Sequence, residues 1–459
     1  MSWGHSLIDL GRGAVEFWGR ANWTRRYNTI HLLVAGYCSY VLLGWLLLCL
    51  PICQQSPASW LDHLFTSASA VSTTGLVTVS TSDTYTFAGE VVVLLLIQFG
   101  GLGYMTISSF VVLAVSGDLS GSRKRVSAAA LSLPSGFEVG AFLKTICWFT
   151  LIVEVLGAAA LYPVFVAHNA PTPLWQAIFH SVSSFCTAGF GLFNNSLEDY
   201  RQDVWLNVVV MVLSLLGAIG FIVIHDVWLS IRGRKAHITL TSKIILLSTK
   251  LIIAVGTVLF VIFEPSIQSL SLGDRLMAAL FQVVSASTTV GFNTVPIGGL
   301  STGSVLLLLI AMGIGASPSG TGGGLKTTTA TALWAEMMSV IRHRAVTTFF
   351  GKMIPEARMR AAVANMVFYG ASLAAGMYVL AVVDRNGLVD QAFECVSALG
   401  TVGLSRGITG SLSTAGKAVI IALMVVGRIG PVILGMAFFS RRRHTSDAGA
   451  TSPEEDVVI

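Results

Sequence analysis

The sequence predicts an all-α polytopic membrane protein made of four tandem repeats, each consisting of a span, a short half-helix and a second span. Of the 459 residues, 54% are hydrophobic and only 11% are charged. Apolar runs of about twenty residues, long enough to cross the core of a bilayer, recur along the whole chain. A short motif also recurs four times, each time between two such runs. These observations predict one membrane domain rather than several soluble ones.

The first element is a polar start over residues 1–27, followed by an apolar run from Ile30 to about Ile52. No small-residue cleavage site ends that run, so we expect an uncleaved cytoplasmic N-terminus rather than a signal peptide. The six cysteines fall almost wholly inside apolar runs and include no pair spaced by two residues. They therefore indicate neither a disulfide framework nor a metal site.

The recurring motif reads Phe, three residues, Ser, three residues, Thr, one residue, Gly, then Leu or Phe. Its copies are Phe65, Ser69, Thr73, Gly75, Leu76; Phe179, Ser183, Thr187, Gly189, Phe190; Phe281, Ser285, Thr289, Gly291, Phe292; and Phe393, Ser397, Thr401, Gly403, Leu404. Successive glycines are 114, 102 and 112 residues apart. Phe, Ser and Thr at four-residue steps share one helical face, so each copy predicts a half-helix that delivers the chain to a glycine. The half-helix is too short to span a bilayer and has the length of a re-entrant segment.

Residues that favour helix starts precede the copies. They are Ser59 and Asp62, Thr172 and Pro173, Ser271 and Asp274, and Asp390.

Eight spans are predicted, in four pairs. They are residues 30–52, 86–116, 140–166, 203–230, 241–263, 302–346, 360–383 and 413–440. The repeats then cover residues 28–116, 140–230, 241–346 and 360–440, with a tail at 441–459. Lys and Arg concentrate on the side of the termini, for example at Arg123, Lys124 and Arg125. By the positive-inside rule, both termini are expected in the cytoplasm and the half-helices enter from outside.

Four re-entrant loops around one axis predict a central ion pore, because non-helical backbone is tolerated at membrane depth only where protein buries it or water lines it. A glycine after each half-helix permits backbone angles that aim carbonyl oxygens inward, and the helix C-terminus adds partial negative charge there. Carbonyl rings suit large monovalent cations, and no acid lies near any of the four glycines. The alternative, that threonine and glycine serve only in helix packing, explains one copy better than four in register.

The sixth predicted span is interrupted by a glycine-rich segment at residues 313–326. It contains Gly313, Gly315, Ser317, Pro318, Ser319, Gly320, Gly322, Gly323, Gly324 and Lys326. Glycine and proline at this density predict a broken helix. The segment is not a phosphate-binding loop, because its lysine follows Leu325 and no strand precedes it. From its residues alone, it is either functional or a passive kink.

Two charged residues lie inside predicted spans, Glu154 in the third and Arg428 in the last. An arginine at that depth costs at least about 2.5–3.5 kcal/mol, so each charge needs a partner or a function. Glu154 either binds a coupling sodium ion or bonds a hydroxyl or basic group on a neighbouring helix. Arg428 is either paired, with an acid such as Glu154 or with loop carbonyls, or it is a fixed charge beside the pore.

The Thr-x-Gly loops, the four repeats and residues 313–326 together resemble the TrkH/KtrB/HKT superfamily of potassium transporters, most closely its KtrB branch, over about residues 28–440. The resemblance implies potassium uptake through a selectivity filter built from Ser72, Thr73, Thr74, Gly75, Cys186, Thr187, Ala188, Gly189, Thr288, Thr289, Val290, Gly291, Gly400, Thr401, Val402 and Gly403. It implies a gate built from Gly313, Gly315, Ser317, Ser319, Gly320, Gly322, Gly323, Gly324, Lys326 and Arg428. The residues flanking the threonines differ, so the discrimination of potassium from sodium stays open.

The resemblance further implies a homodimer, multi-pass in the cell (inner) membrane, regulated by a cytoplasmic nucleotide-binding ring of the KtrA type. No cofactor is expected in this chain, because potassium is the substrate; sodium as an activator is left open. Membrane lipid is an expected partner and nucleic acid is not, because membrane topology explains the basic loops.

The sequence leaves one rival function open and argues against two others. A less selective sodium/potassium transporter of the same fold stays open. A secondary transporter of another class would show inverted repeats with two broken helices, whereas these repeats are parallel and only the sixth span is expected to be heavily broken. A membrane enzyme would need a clustered nucleophile, acid-base pair or metal, and the nine histidines are dispersed.

Overall fold

The computed structural model describes residues 29–103, 139–233, 238–430 and residue 434, and every long element within these ranges is a helix. Each repeat has a leading helix, a half-helix and a trailing helix. The leading helices are Thr29–Leu48, Val139–Ala167, Leu240–Phe263 and Glu356–Val383. The half-helices are Trp60–Ser72, Pro173–Phe185, Leu272–Thr288 and Leu388–Gly400. The trailing helices are Phe87–Leu102, Val204–Ile219, Thr302–Gly313 and Thr414–Ile429. The predicted all-helical class is confirmed.

Smaller elements join or extend these helices. Repeat 1 has a short helix, Thr81–Thr84, and repeats 2 and 3 have second trailing segments, Phe221–Ile231 and Thr327–Ile341. An antiparallel hairpin pairs Thr348–Phe349 with Lys352–Met353. Short 3-10 turns lie at Pro51–Cys53, Glu198–Tyr200, Pro265–Ile267, Ile297–Gly299 and Thr409–Ser411.

Two half-helices begin at the predicted side-chain caps, and Asp390 lies in the first turn of the fourth, as predicted. Ser59 accepts a hydrogen bond from the backbone of Asp62 in a capping box, and Ser271 accepts one from Asp274. Thr172 has a left-handed backbone and makes no side-chain cap, and Pro173 occupies the first helical turn. These starts fix where each half-helix enters the fold.

The half-helices form the core of the protein. The four motif phenylalanines, Phe65, Phe179, Phe281 and Phe393, are at most 1% exposed. The leading helices instead present large apolar side chains outward, such as Leu151, Ile152 and Val155. This apolar exterior around a partly polar interior suits a lipid environment.

Among the described residues, three helices are long and apolar enough to cross a bilayer by themselves. They are Leu143–Ala167, Leu240–Phe263 and Glu356–Val383. The bent pair Val204–Ile219 and Phe221–Ile231 would be a fourth if counted as one span.

The four repeats close into a ring. The half-helices of repeats 2, 3 and 4 each contact the trailing helix of the preceding repeat, and the half-helix of repeat 1 contacts the trailing helix of repeat 4. The last repeat therefore lies beside the first. Repeats of parallel orientation can be arranged around one axis in this way.

The trailing helices are interrupted more often than the sequence predicted. The expectation that only the sixth span is heavily broken is wrong, because the fourth turns by 95° at Gly220, where φ is +92°. Trailing helices 1 and 4 end at Gly103 and Gly430, which have φ of +79° and +93°. Positive φ ends a helix, and glycine tolerates it without steric cost.

Several predicted segments lie outside the described residues. They are residues 1–27, the ends of the second and eighth predicted spans, the basic loop with Arg123, Lys124 and Arg125, and the tail at 441–459.

Candidate functional site

The four Thr-x-Gly loops share one backbone conformation. Thr73, Thr187, Thr289 and Thr401 have φ of +52°, +50°, +60° and +51°. Gly75, Gly189, Gly291 and Gly403 have φ of +90°, +67°, +81° and +97°. Positive φ is rare for a β-branched residue and costs roughly 1–3 kcal/mol, a strain that is typical of functional sites.

The motif serine explains how the loop is held in this shape. In repeat 1, the N–H of Thr74 donates to the carbonyl of Ser69 at 2.9 Å, and the N–H of Gly75 donates to the Ser69 hydroxyl at 3.1 Å. Repeat 4 makes the same pair of bonds, to Ser397 from Val402 and Gly403. Such bonds satisfy carbonyls at the end of a helix, as in a Schellman motif.

Repeats 2 and 3 keep the backbone bond but change the hydroxyl bond. Ala188 donates to the Ser183 carbonyl at 2.8 Å, and Val290 donates to the Ser285 carbonyl at 3.1 Å. The Ser285 hydroxyl donates to the carbonyl of Phe292 at 2.5 Å instead. The loops therefore share a backbone and differ in their side-chain support.

The four loops meet in a closed ring of glycines and carbonyl oxygens. A Cβ added to each loop glycine would collide with the carbonyl oxygen of the residue before the next repeat's glycine. The pairs are Gly75 with Ala188, Gly189 with Val290, Gly291 with Val402, and Gly403 with Thr74. Only glycine permits this approach, and it places four carbonyl oxygens around one centre.

A cavity of about 340 Å³ adjoins the ring. Its lining includes all four loop glycines together with Thr78, Ser80 and Asn194, and none of the described residues that line it is acidic. Hydroxyl, amide and carbonyl oxygens are therefore the groups a cation would meet there. This chemistry suits a weakly hydrated monovalent ion.

The other side of the loops faces the interrupting loop of repeat 3, residues 314–326, which joins Thr302–Gly313 to Thr327–Ile341. The Thr73 hydroxyl donates to the carbonyl of Thr321 at 3.3 Å. The Thr321 hydroxyl lies 3.0 Å from the Thr187 hydroxyl and donates to the carbonyl of Phe185 at 3.1 Å. Thr321 thus contacts the loops of repeats 1 and 2.

The next two residues contact the loops of repeats 3 and 4. A Cβ on Gly322 would collide with the Thr289 hydroxyl, and the N–H of Gly323 donates to the Thr401 hydroxyl at 2.9 Å. Three consecutive residues therefore lie against all four loop threonines. The interrupting loop therefore lies directly against one side of the ring of loops.

The interrupting loop is tied to the bend in the fourth span. Ser317 donates its N–H to the carbonyl of Ala218, and Phe221 donates its N–H to the carbonyl of Ser319. A Cβ on Gly220 would collide with the Pro318 carbonyl, which explains the glycine at the bend.

The predicted gate residues also bond within the loop. Lys326 Nζ donates to the Gly322 carbonyl at 2.7 Å, and the Ser317 hydroxyl lies 3.2 Å from that of Thr327. Gly315 lies beside Gly323 and Gly324, next to the bridge that pairs Ile314 with Leu325. Gly313 ends the first trailing segment, and Gly320 lies against the Gly217 and Ala218 carbonyls.

Arg428 bonds carbonyls rather than an acid. Its guanidinium donates to the carbonyls of Thr321 and Gly100, and to that of Gly101 at 3.2 Å. Within the described part of the chain, no ion pair joins it to Glu154. Of the partners weighed for Arg428, loop carbonyls are those observed.

Two residues at this site were not singled out by the sequence reasoning. Thr321 stands between glycines and belongs to no predicted motif. Gly220 lies inside the span predicted over residues 203–230. A second recurring motif could have predicted the bend at Gly220. This motif, Gly-x-Leu/Ile-Gly, occurs at Gly100–Gly103, Gly217–Gly220 and Gly427–Gly430. It marks where three trailing helices end, and it places Arg428 where the other two copies have Gly101 and Ala218.

Known proteins resemble this chain in sequence and fold. The TrkH family model, described as a cation transport protein, matches residues 43–447. Ktr system potassium uptake protein B of Vibrio alginolyticus is 33% identical over 408 residues, covering 88% of this chain and 90% of that protein. Potassium/sodium uptake protein NtpJ of Enterococcus hirae is 34% identical over 446 residues, covering 95% and 98%. The crystal structure of the potassium transporter TrkH from Vibrio parahaemolyticus matches with a TM-score of 0.72 and 22% identity over 89% of this chain and 84% of that one, so the two share a fold.

Proposed function

This chain belongs to the TrkH family of cation transport proteins, which makes it a transporter rather than an enzyme, and on that premise we propose that it is the pore-forming membrane subunit of a potassium uptake system. The observation that carries the proposal is the ring in which each loop glycine lies against a carbonyl oxygen of the next repeat. Carbonyl rings replace the hydration shell of potassium at low cost.

The finer architecture belongs to the same proposal. The four repeats, residues 28–116, 140–230, 241–346 and 360–440, supply eight spans and four re-entrant half-helices around one pore. The half-helix C-termini direct partial negative charge at the ring, which favours a cation there. The cation is the substrate, and its path runs through residues 72–75, 186–189, 288–291 and 400–403. The excess of Lys and Arg in the loops on the side of the termini supports a cytoplasmic location for both termini.

The interrupting loop acts as the gate in this proposal. Thr321, Gly322 and Gly323 lie against the four loop threonines, so ion flow requires them to move. Lys326 and Arg428 add positive charge close to this obstruction and repel a cation that leaves the filter.

Uptake of radioactive rubidium into vesicles tests the function directly. Vesicles that contain the purified protein should accumulate rubidium, and external potassium should compete. Expression should also restore growth of potassium-uptake-deficient cells at low potassium. Vesicles without uptake above empty controls would refute the proposal.

Regulation by a partner is supported by the names of two similar proteins, both Ktr system potassium uptake protein B. We propose a homodimer that binds a cytoplasmic nucleotide-binding ring of the KtrA type. Co-purification with such a ring, and rubidium uptake that responds to nucleotide only when it is present, would support this. A monomer with nucleotide-responsive uptake on its own would exclude it.

A second candidate is a sodium/potassium transporter with weaker selectivity. It is favoured by the printed name of the Enterococcus hirae relative and by the unequal loop residues Ser72, Cys186, Thr288 and Gly400. Sodium that competes with rubidium as strongly as potassium would favour this candidate. Sodium that stimulates uptake would instead indicate an activating ion.

A further inference from the structure

Glu154 is a buried carboxyl group in the leading helix of repeat 2 that the proposed pore and gate do not use. It is 7% exposed. Gln98 Nε2 donates to its Oε2 at 3.1 Å, and the Cys186 thiol donates to its Oε1 at 3.7 Å. Its carboxyl oxygens therefore accept bonds from two other elements, the trailing helix of repeat 1 and the end of the second half-helix.

Cys186 is the corner between that half-helix and Thr187. It is fully buried, and its thiol also contacts Gln98 Oε1 at 3.6 Å. A Cβ on Gly101 would lie 2.7 Å from its sulfur, so the trailing helix of repeat 1 packs closely against it. The corner is held between Glu154, Gln98 and Gly101.

Movement of this corner would be passed directly to the pore. The carbonyl of Phe185, just before Cys186, accepts a hydrogen bond from the Thr321 hydroxyl. The hydroxyl of Thr187, just after Cys186, shares a hydrogen bond with the same Thr321 hydroxyl. The carbonyl of Ala188, two residues on, is the one that lies against Gly75.

At the equivalent position in repeats 1 and 3, the side chain bonds residues of its own repeat. The Ser72 hydroxyl bonds the Ala68 carbonyl and the Thr74 hydroxyl, both at 2.6 Å. The Thr288 hydroxyl bonds the Val284 carbonyl at 2.7 Å, and Gly400 has no side chain. In the described part of the chain, the corner of repeat 2 alone bonds a carboxyl group from another element.

We propose that Glu154 is a positioning residue that holds the second Thr-x-Gly loop through Cys186 and thereby sets how strongly the protein prefers potassium to sodium. This inference rests on the proposed function, since it assigns Glu154 a role in the selectivity of the same pore. It acts through hydrogen bonds: Glu154 orients Cys186, and Cys186 fixes where the Ala188 carbonyl lies.

The test is rubidium uptake into vesicles that contain the full-length protein, with potassium and sodium as competitors. The ratio of their half-inhibitory concentrations measures selectivity. Glu154→Leu removes both acceptor oxygens and should lower the ratio about tenfold, whereas Glu154→Gln keeps one acceptor and should lower it about threefold, given the usual worth of such bonds. Cys186→Ala should also lower it, and Glu154→Gln should then have no further effect.

The matched control is Glu90→Gln. Glu90 accepts a bond from Trp175 Nε1 at 2.6 Å, which joins the same trailing helix to the other end of the same half-helix. Its variant should keep the wild-type ratio.

A folded Glu154→Leu protein with the wild-type ratio would overturn the inference, and so would additive effects of Glu154→Gln and Cys186→Ala. Loss of sodium stimulation with an unchanged ratio would also overturn it and would indicate a sodium site. If Glu154→Leu does not fold, Cys186→Ala and the double variant decide. Failure of the wild-type protein to take up rubidium would instead refute the proposed function.

Discussion

Repeats 1 and 4 support the chain beyond their glycines differently from repeats 2 and 3. In repeat 1, Asp62 lies three residues before the motif phenylalanine and accepts a bond at 2.8 Å from Thr78, three residues after the glycine. In repeat 4, Asp390 and Arg406 occupy the same two positions and form an ion pair. In these two repeats, the acid in the first turn of the half-helix therefore braces the chain that leaves the loop.

Repeats 2 and 3 have Gln176 and Ala278 where the other repeats have these acids. Aromatic contacts replace the brace: the His180 ring stacks on Phe193 at 5.0 Å and lies 5.9 Å from Phe292 of repeat 3. The comparison teaches that the motif fixes the backbone of the ring in all repeats, whereas residues outside the motif decide how each part of the ring is held.

Substitution of a ring glycine should have the largest effect, because it disrupts the glycine–carbonyl contact that all four repeats share. Gly75→Ser, in a braced repeat, and Gly291→Ser, in an aromatic one, place a side chain against a neighbouring carbonyl at φ of +90° and +81°. Such strain costs about 1–3 kcal/mol, so potassium-to-sodium discrimination should fall at least about tenfold in both. Competition against rubidium uptake measures it; unchanged ratios in both variants would contradict the ring as the filter. A much milder effect in one would show that local support also matters.

Arg428→Gln should have the next largest effect, on flux rather than selectivity. Arg428 contacts Thr321 in the interrupting loop and Gly100 and Gly101 of repeat 1, so it joins the proposed gate to the boundary between repeats 4 and 1. Loss of bonds to a charged group worth about 1.5–3 kcal/mol should raise the maximal rubidium flux at least about tenfold or weaken regulation. Arg428→Lys keeps the charge and should change less. A folded Gln variant with unaltered affinity, rate and regulation would leave Arg428 a structural role only.

Thr321→Val should have a smaller effect, which is confined to the contact between the interrupting loop and repeat 2. The side chain of Thr321 bonds repeat 2, whereas repeat 1 is bonded through its main-chain carbonyl, which the variant keeps. Loss of bonds worth about 1 kcal/mol should raise flux in the absence of a regulator by about threefold to tenfold. Thr321→Ser keeps the hydroxyl and serves as the control. Equal flux in the Val and Ser variants would mean that the hydroxyl does not hold the gate.

Asp62→Asn should have the smallest effect on transport and act mainly on stability. Asp62 also bonds Lys417 of repeat 4 at 2.7 Å, and both side chains are largely buried. Loss of this charge should lower the melting temperature in detergent, since breaking a buried pair leaves Lys417 unpaired. Glu356→Gln, which breaks a fully exposed pair with Arg360, is the control and should not change it. Equal melting temperatures of the two variants would show that the brace adds little.

The same brace predicts a pH dependence. Burial raises the pKa of Asp62, but hydrogen bonds from Lys417, Ser59 and Thr78 outweigh it and lower the pKa to about 2. Because the folded pKa lies below the unfolded value of about 3.9, the stabilisation is present above about pH 4 and is lost as the pH falls towards 2. The difference in melting temperature between wild type and Asp62→Asn should therefore shrink over that range.

The sequence predicted what is repeated and missed much of what is not. Four copies of one motif located the half-helices and the glycines that follow them, because local spacing determines helix faces and helix ends. Thr321 was missed because its importance depends on Thr73 and Phe185, which are more than a hundred residues away. The sequence left the partner of Arg428 open between an acid and loop carbonyls for a related reason. The choice depends on which repeats are neighbours in the ring, and the sequence of a single repeat does not specify that order.

The boundary between repeats 4 and 1 has a consequence for synthesis. Gly403 lies against Thr74, and Lys417 bonds Asp62, so the first and last repeats meet across more than three hundred residues of sequence. Repeats emerge from the ribosome in order, and repeats 2 and 3 can each dock on the preceding repeat as soon as they are inserted. Until repeat 4 arrives, one flank of the first half-helix is uncovered and the carboxylate of Asp62 lacks its partner Lys417. Assembly of the ring is therefore completed only by the last-made part of the polypeptide, and a truncated product carries an open seam that chaperones or proteases can recognise.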